Sequence, residues 1–244
     1  KLDVFQGIHM TNKSVLLCSV FALVFGAFNA SAKVSKEEVD KLGKSLTPFG
    51  SIMSGNKSKT IPAWTGGLTK APEGYTGSGM HHIDPFADDE IKFSIDKSNY
   101  EGFKKYLTPG QYKMFETYPD TFKLNVYPTH RSHAMPDWVL ENTRKNALTS
   151  SLTNGGVGIK DAFGGIPFPI LHGKNEEKAL QTMWNHLTRW RGVYLTSRYT
   201  EVPVQRDGTF SPITKQQEVF FNFHNPEGSF KKLDNILFYF LTFN

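Results

Sequence analysis

Two stretches set histidine beside groups that bind metals or move protons. The first, HHIDPFADDE, carries His81, His82 and Asp84 with Asp88, Asp89 and Glu90 close behind. Imidazole and carboxylate are ligands that zinc and manganese accept. No helical i, i+4 spacing puts His81, His82 and Asp84 on one face, however, and Asp84-Pro85 starts a turn. A solvated polar turn is the simpler reading. The second, Thr129-His130-Arg131-Ser132-His133, has an HxxH spacing inside a proline-bounded loop and reads as surface. A third grouping is His186 with Arg189 and Arg191, a base beside two cations that would hold an anion. A solvated helix face accounts for it equally well. The sequence contains no GxSxG elbow and no HExxH, and its single cysteine, Cys18, lies in an apolar leader. Nucleophilic catalysis needs an activated nucleophile with a base in reach. The expected protein is therefore not an enzyme, with no catalytic residue, no metal and no cofactor.

The leader tells where such a protein works. Residues 1–9 read as upstream sequence, and residues 10–32 have the form of a secretory signal peptide. Lys13 is the positive region, Val15 to Phe28 the apolar region and Ala30-Ser31-Ala32 the cleavage site, so the mature chain begins at Lys33. The apolar run falls short of the ~20 residues that a spanning helix needs. Leu17 before Cys18 argues against lipidation. Cleavage removes the only cysteine, which leaves a mature chain with neither disulfide nor thiolate site. It also removes Lys1, Lys13 and Asp3 and lowers the net charge from +5 to +4. Those charges are interspersed, so they speak for solubility and against a nucleic-acid partner. Aromatic residues at 14%, with 20 Phe, suffice for a sizeable core or a greasy cavity.

The elements that would position these groups change character along the chain. Residues 33–80 read as an N-terminal helix and an extended arm, and residues 81–244 as an α+β domain. Ser35 to Glu38 fits a capping box, which predicts a helix to about Ser45 with Val39, Leu42 and Leu46 on one face. Thr47 to Met80 is rich in Gly, Pro, Ser, Thr and Lys, an arm laid over the surface with Trp64 and Tyr75 as anchors. A second capping box at Ser98 to Glu101 predicts a helix carrying Tyr100, Phe103 and Leu107. Thr108-Pro109-Gly110-Gln111 starts another that ends at Pro119. FKLNVY reads as a strand to Tyr127, and Pro136 to about Leu148 as a helix.

Gly155 to Gly192 then joins a Gly-Pro loop to a helix over Glu176 to Arg191 that ends at Gly192. Leu180, Met183, Trp184 and Leu187 are expected to face a sheet, with Trp184 largely buried against strands after Val193. Asp207-Gly208 predicts a type I′ hairpin between two strands, and NILFYFLTF is a third strand candidate. Stopping in mid-run there suggests a truncated chain.

IPAWTGGL, DPFADDE, LTPGQ, YPDTFKLNVYPTHR, GGIPFPI, WNHLTRWRGVY and LDNILFYF together resemble the secreted Gram-negative family known as domain of unknown function 1329. The resemblance runs from about Lys33 to the end, and members continue past Asn244 into more strands. It implies a relationship to the LolA/LolB lipoprotein carriers, whose curved antiparallel sheet forms a half-barrel around helices. The implied fold is α+β, a half-barrel incomplete here, behind a helical and loop-rich N-terminal half. The implied function is a periplasmic carrier or accessory protein for a lipid-like hydrophobic molecule, associated with the outer membrane. Its implied partners are a resistance-nodulation-division type exporter and an outer-membrane protein. Phe163, Ile166, Phe168, Trp184, Tyr194 and Phe221 are the expected cavity lining. The alternatives are a non-enzymatic docking subunit of an exporter, with Trp64, Trp138 and Trp190 as exposed anchors, and a periplasmic hydrolase using His186.

Overall fold

A computed structural model describes residues 34–77, 81–234 and 236–243. The upstream residues and the signal peptide at 10–32 lie outside the described residues, as does most of the last arm segment, Ser78 to Met80. The chain divides into two compact units, Asp40–Asn142 and Thr143–Asn244 together with the segment before Asp40.

In the Asp40–Asn142 unit, the two-stranded antiparallel sheet of β1 (Phe93–Ile95) and β2 (Leu124–Val126) sets Ile95 opposite Leu124. The 3-10 helix Tyr100–Tyr106 and helix α2 (Pro109–Thr117) pack beside each other. Phe115, 1% exposed, lies between Tyr100 and Phe122 with ring centres 5.2 and 4.7 Å away. The capping box of α2 is made as its sequence requires: Thr108 Oγ1 accepts from Gln111 N, and Gln111 Oε1 from Thr108 N. The box expected at Ser98 is not made. Ser98 donates instead to Asp96 through both its amide and its hydroxyl, which closes a turn and leaves only a 3-10 helix behind it.

The arm is held at three places by the 131–133 loop. The Arg131 guanidinium donates to the carbonyls of Ile52 (2.7 Å) and Met53 (3.0 Å). Trp64 Nε1 donates to the His133 carbonyl at 2.9 Å, and Leu68 N to the Ser132 carbonyl at 2.8 Å. Gly67, at φ +75°, crosses so near His133 that a Cβ would collide with its carbonyl. A segment with little regular structure is ordered here because its peptide groups find fixed partners.

In the other unit, the capping box of α1 (Lys36–Val39) forms between Ser35 and Glu38, but the helix is one turn long, not ten residues. The chain leaves the helix in a turn at Asp40 and Lys41, and Gly43, already in the Asp40–Asn142 unit, takes φ +82°. α3 (Asp137–Thr149) carries the division between units; its Arg144 donates to the Val39 carbonyl at 3.1 Å. β3 (Ser151–Thr153) and β4 (Gly158–Lys160) form a small hairpin. After the Gly-Pro loop comes α4 (Asn175–Leu187), then a three-stranded antiparallel meander of β5 (Tyr194–Glu201), β6 (Ile213–Phe220) and β7 (Tyr239–Phe243).

The Asp207-Gly208 turn is not type I′. Gly208 alone is left-handed (φ +84°), Gly208 N donates to the Gln205 carbonyl, and Gln205 N to that of Thr209. That is a type I turn followed by a left-handed glycine, the three-residue hairpin solution. Asp207 favours it by accepting from Thr209 N and Oγ1, a bond type I′ does not need.

Residues of both kinds thus form a mixed α+β protein with small antiparallel sheets, none closed into a barrel among the described residues. No helix there is long and apolar enough to cross a membrane.

Candidate functional site: an apolar pocket beside helix α4

The Gly-Pro loop has no ladder of its own, so its peptide groups need other partners. Three side-chain amides supply them. Asn146 accepts from Phe163 N and donates to the Phe163 carbonyl (3.1 and 3.2 Å). Asn185 does the same for Phe168 (2.9 and 2.8 Å), and Gln181 for His172 (3.0 Å each way). Thr143 Oγ1 takes Ile166 N at 3.0 Å. Each amide acts as one rung of a strand, and α3 and α4 hold the loop from its two ends.

This corrects the expected face of α4. Its buried position is Gln181, at 2% exposure, and Thr188 just past its end is 4% exposed, whereas Met183 and Leu187 stand 57% and 48% exposed. A helix laid against an unladdered loop must satisfy that loop's N–H and C=O groups, which selects amides over an apolar stripe. Trp184 is half-buried and turns to the β3–β4 hairpin, where Nε1 donates to the Gly156 carbonyl at 2.9 Å. Leu180 packs on Gly156, and a Cβ there would collide with it. Asn154, Gly155 and Gly156 are all left-handed, at φ +51°, +66° and +96°, which folds the hairpin tip onto α4.

Past β6, the chain folds back through 3-10 turns Asn222–His224 and Phe230–Lys232. Phe223 N donates to the Leu237 carbonyl and Gly164 N to that of Phe223, so Phe223 is fixed from both sides. It joins Ala162 and Leu233 in a buried cluster, with Ile159, Phe163, Phe230 and Leu237 packed on it. His224, 2% exposed, donates from Nε2 to the Thr188 carbonyl at 2.8 Å, tying the turn to the end of α4. Burial holds its imidazole below the ordinary range and the Arg191 charge works the same way, against opposing pulls from the Thr188 and Gly164 backbone.

Between these walls is a pocket of about 450 Å³. Val157, Ile159 and Ala162 line it from the β4 side, Trp184 from α4, and Phe223, Phe230, Leu233 and Leu237 from the returning chain. Lys231 and Asp234 complete the lining, and both are exposed. The volume falls within the range of small-molecule sites, and such sites combine apolar walls with a few polar groups.

The expected lining divides accordingly. Trp184 is in the wall, and Phe163 packs on the cluster with its ring 6.0 Å from Phe223. Phe168, 2% exposed, is closed into the interior; Ile166 sits half-buried under the Thr143 bond. Phe221 is 4% exposed beneath the Arg191 guanidinium, 4.6 Å from its ring centre. Tyr194 is 56% exposed, and its hydroxyl donates to Glu218 at 2.5 Å. The walls contributed by Phe230, Leu233 and Leu237 were missed, although their i, i+3, i+7 spacing is an amphipathic signal.

The histidine groupings serve other ends. His130 pairs with Asp89 at 2.7 Å and stacks on Phe86 with ring centres 3.7 Å apart. His82 stacks on Tyr75, and His133 meets the edge of Phe49. No group of three metal-ligating side chains converges among the described residues. Arg189 donates to His186 Nε2 at 3.2 Å, exposed on the end of α4. Trp64, Trp138 and Trp190 are half-buried, not exposed anchors; Trp64 meets Phe49 and Trp190 meets His224 edge to face.

Fold and site define a mixed α+β protein with an apolar-walled pocket beside helix α4. The chain belongs to the DUF1329 family of proteins of unknown function, whose family model matches residues 94–244. It is 38% identical over 230 residues to Uncharacterized protein PA3922 of Pseudomonas aeruginosa. That match covers 94% of this chain and 49% of the relative, so the chain spans about half the relative's length. No solved structure matches it.

Proposed function

We propose that this protein is a periplasmic carrier or accessory protein that binds a lipid-like hydrophobic molecule, and not an enzyme. The observation that carries this reading is the open pocket of about 450 Å³ with eight apolar side chains in its wall, Trp184 among them. An apolar cavity of that size is what transport of a water-insoluble molecule requires. The proposal extends to the LolA/LolB-like half-barrel, of which the β5–β6–β7 meander would be a part, and to secretion by the signal peptide at 10–32. It also includes hand-over to a resistance-nodulation-division type exporter or an outer-membrane protein.

Mass spectrometry of organic extracts tests the reading on the full-length protein purified from the periplasm. A stoichiometric hydrophobic molecule is the expected result. Extracts that match a buffer blank, together with failure to bind a fluorescent fatty acid, would rule the carrier out.

The docking-subunit alternative draws on a different observation. Tyr239, Leu241 and Phe243 share one face of β7 and are 48–52% exposed, and exposed apolar surface of this kind marks interaction sites. Capture of the inner-membrane exporter by a lipid-free preparation would favour this alternative over the carrier.

A further inference from the structure

Two opposite charges occur at the open side of the pocket, and neither is used. Lys231 and Asp234 both line it, three residues apart, and both are exposed. Opposite charges three residues apart on an α-helix are neighbours and can pair. Here they do not, and among the described residues neither side chain has a hydrogen-bond or ion-pair partner. Their neighbours are committed elsewhere: Lys232 donates to the Glu227 carbonyl at 3.3 Å, and Leu233 points into the buried cluster.

The backbone keeps the two apart. Phe230–Lys232 is a 3-10 turn, Leu233 continues in right-handed geometry, and Asp234 then switches to φ +47°. A left-handed aspartate sends its side chain off the line of the turn, a conformation that costs a non-glycine residue stability. One cation and one anion are thereby presented at the lip of a greasy cavity, each with its bonding capacity open.

Resting on the carrier reading, we propose that the pocket takes a single-chain zwitterionic amphiphile. Its chain lies against Trp184, Ile159 and Phe223. Its anionic group, phosphate or carboxylate, is held by Lys231, and its ammonium group by Asp234. A purely anionic fatty acid would satisfy Lys231 but approach the Asp234 carboxylate. An alkylammonium would meet the converse clash. Only a head with both signs uses both residues, and discrimination comes as much from the mismatched charge as from the matched one. The lip is exposed, so the preference should weaken as salt is raised.

Binding of three probes with equal acyl length below their micelle concentrations decides the matter: a lysophosphatidylethanolamine, a fatty acid and an alkyltrimethylammonium. Calorimetry would be run on the parent chain, on Lys231→Ala, on Asp234→Ala and on the exchanged pair Lys231→Asp with Asp234→Lys. The proposal expects the lysophospholipid to bind about tenfold tighter than either singly charged probe. Each alanine variant should lose that preference, and the exchanged pair should restore it. Equal binding of all probes to all variants, or a fatty acid preferred by the parent, would overturn the head-group assignment and leave the carrier intact. No binding of any of the three amphiphiles by the folded parent chain would remove the carrier itself.

Discussion

His224 shows how much a single buried side chain can carry. It is 2% exposed, its Nε2 proton is committed to the Thr188 carbonyl, and Nδ1 has no hydrogen-bond partner among the described residues. An imidazole in that setting is disfavoured as a cation, and its pKa lies below the ordinary 6.5. The unfolded chain therefore binds the proton more readily than the folded one as pH falls. Stability from this group is complete above pH 6.5 and declines as the pH drops from there towards the folded value. His133 is shifted the same way by burial alone. Urea midpoints measured between pH 7.5 and 5 should fall with acid in the parent, and His224→Gln should flatten that slope. An unchanged slope would mean that carboxylates, and not His224, set the acid response. Gly156 makes a second residue-scale test. With φ +96° and Leu180 against it, Gly156→Ala should cost more than about 1 kcal/mol. It should also shift Trp184 emission, because the Gly156 carbonyl accepts the indole N–H. Parent-like stability and emission would contradict the close approach.

At the scale of elements, the amide clamp is the device that turns a Gly-Pro loop into a wall. Asn185→Ala leaves both peptide groups of Phe168 without partners in a buried setting, at a cost of about 2 kcal/mol or more. Denaturant titration checks this, and Asn146→Ala should behave alike. A loss below about 0.5 kcal/mol in both would mean that water replaces the amides. The clamp also explains what sequence could and could not show. Spacing and turn residues are local, so periodicity places α3 closely, but α4 ends at Leu187 and not at Gly192, and the last strand starts at Tyr239, inside the apolar run expected to form it. The face of α4 was misjudged because Leu180, Met183, Trp184 and Leu187 form a credible apolar stripe. The demand for Gln181 and Asn185 comes from the peptide groups of a loop that reaches the helix only in the folded chain. The capping boxes illustrate the same divide. Ser35 and Thr108 formed theirs, whereas Ser98 was drawn off by Asp96, a competing acceptor two residues away.

For the whole molecule, the family is legible in its motifs, while the pocket is not. Val157, Ile159, Phe223, Leu233 and Leu237 come from segments up to eighty residues apart, joined only by folding. Of the aromatics expected to line a cavity, Phe168 and Phe221 fill the interior, and Tyr194 faces solvent. Trp184 alone stayed both in the expectation and in the wall, which makes it the natural reporter. The exposed face of β7 competes with the pocket for a hydrophobic ligand. Photolabelling with a diazirine-bearing lipid, followed by peptide mapping, separates them. The carrier account predicts label on peptides holding Val157 to Ala162, Trp184 and Phe230 to Leu237. Label confined to Tyr239–Phe243 and its β6 neighbours, with the pocket peptides clean, would contradict it.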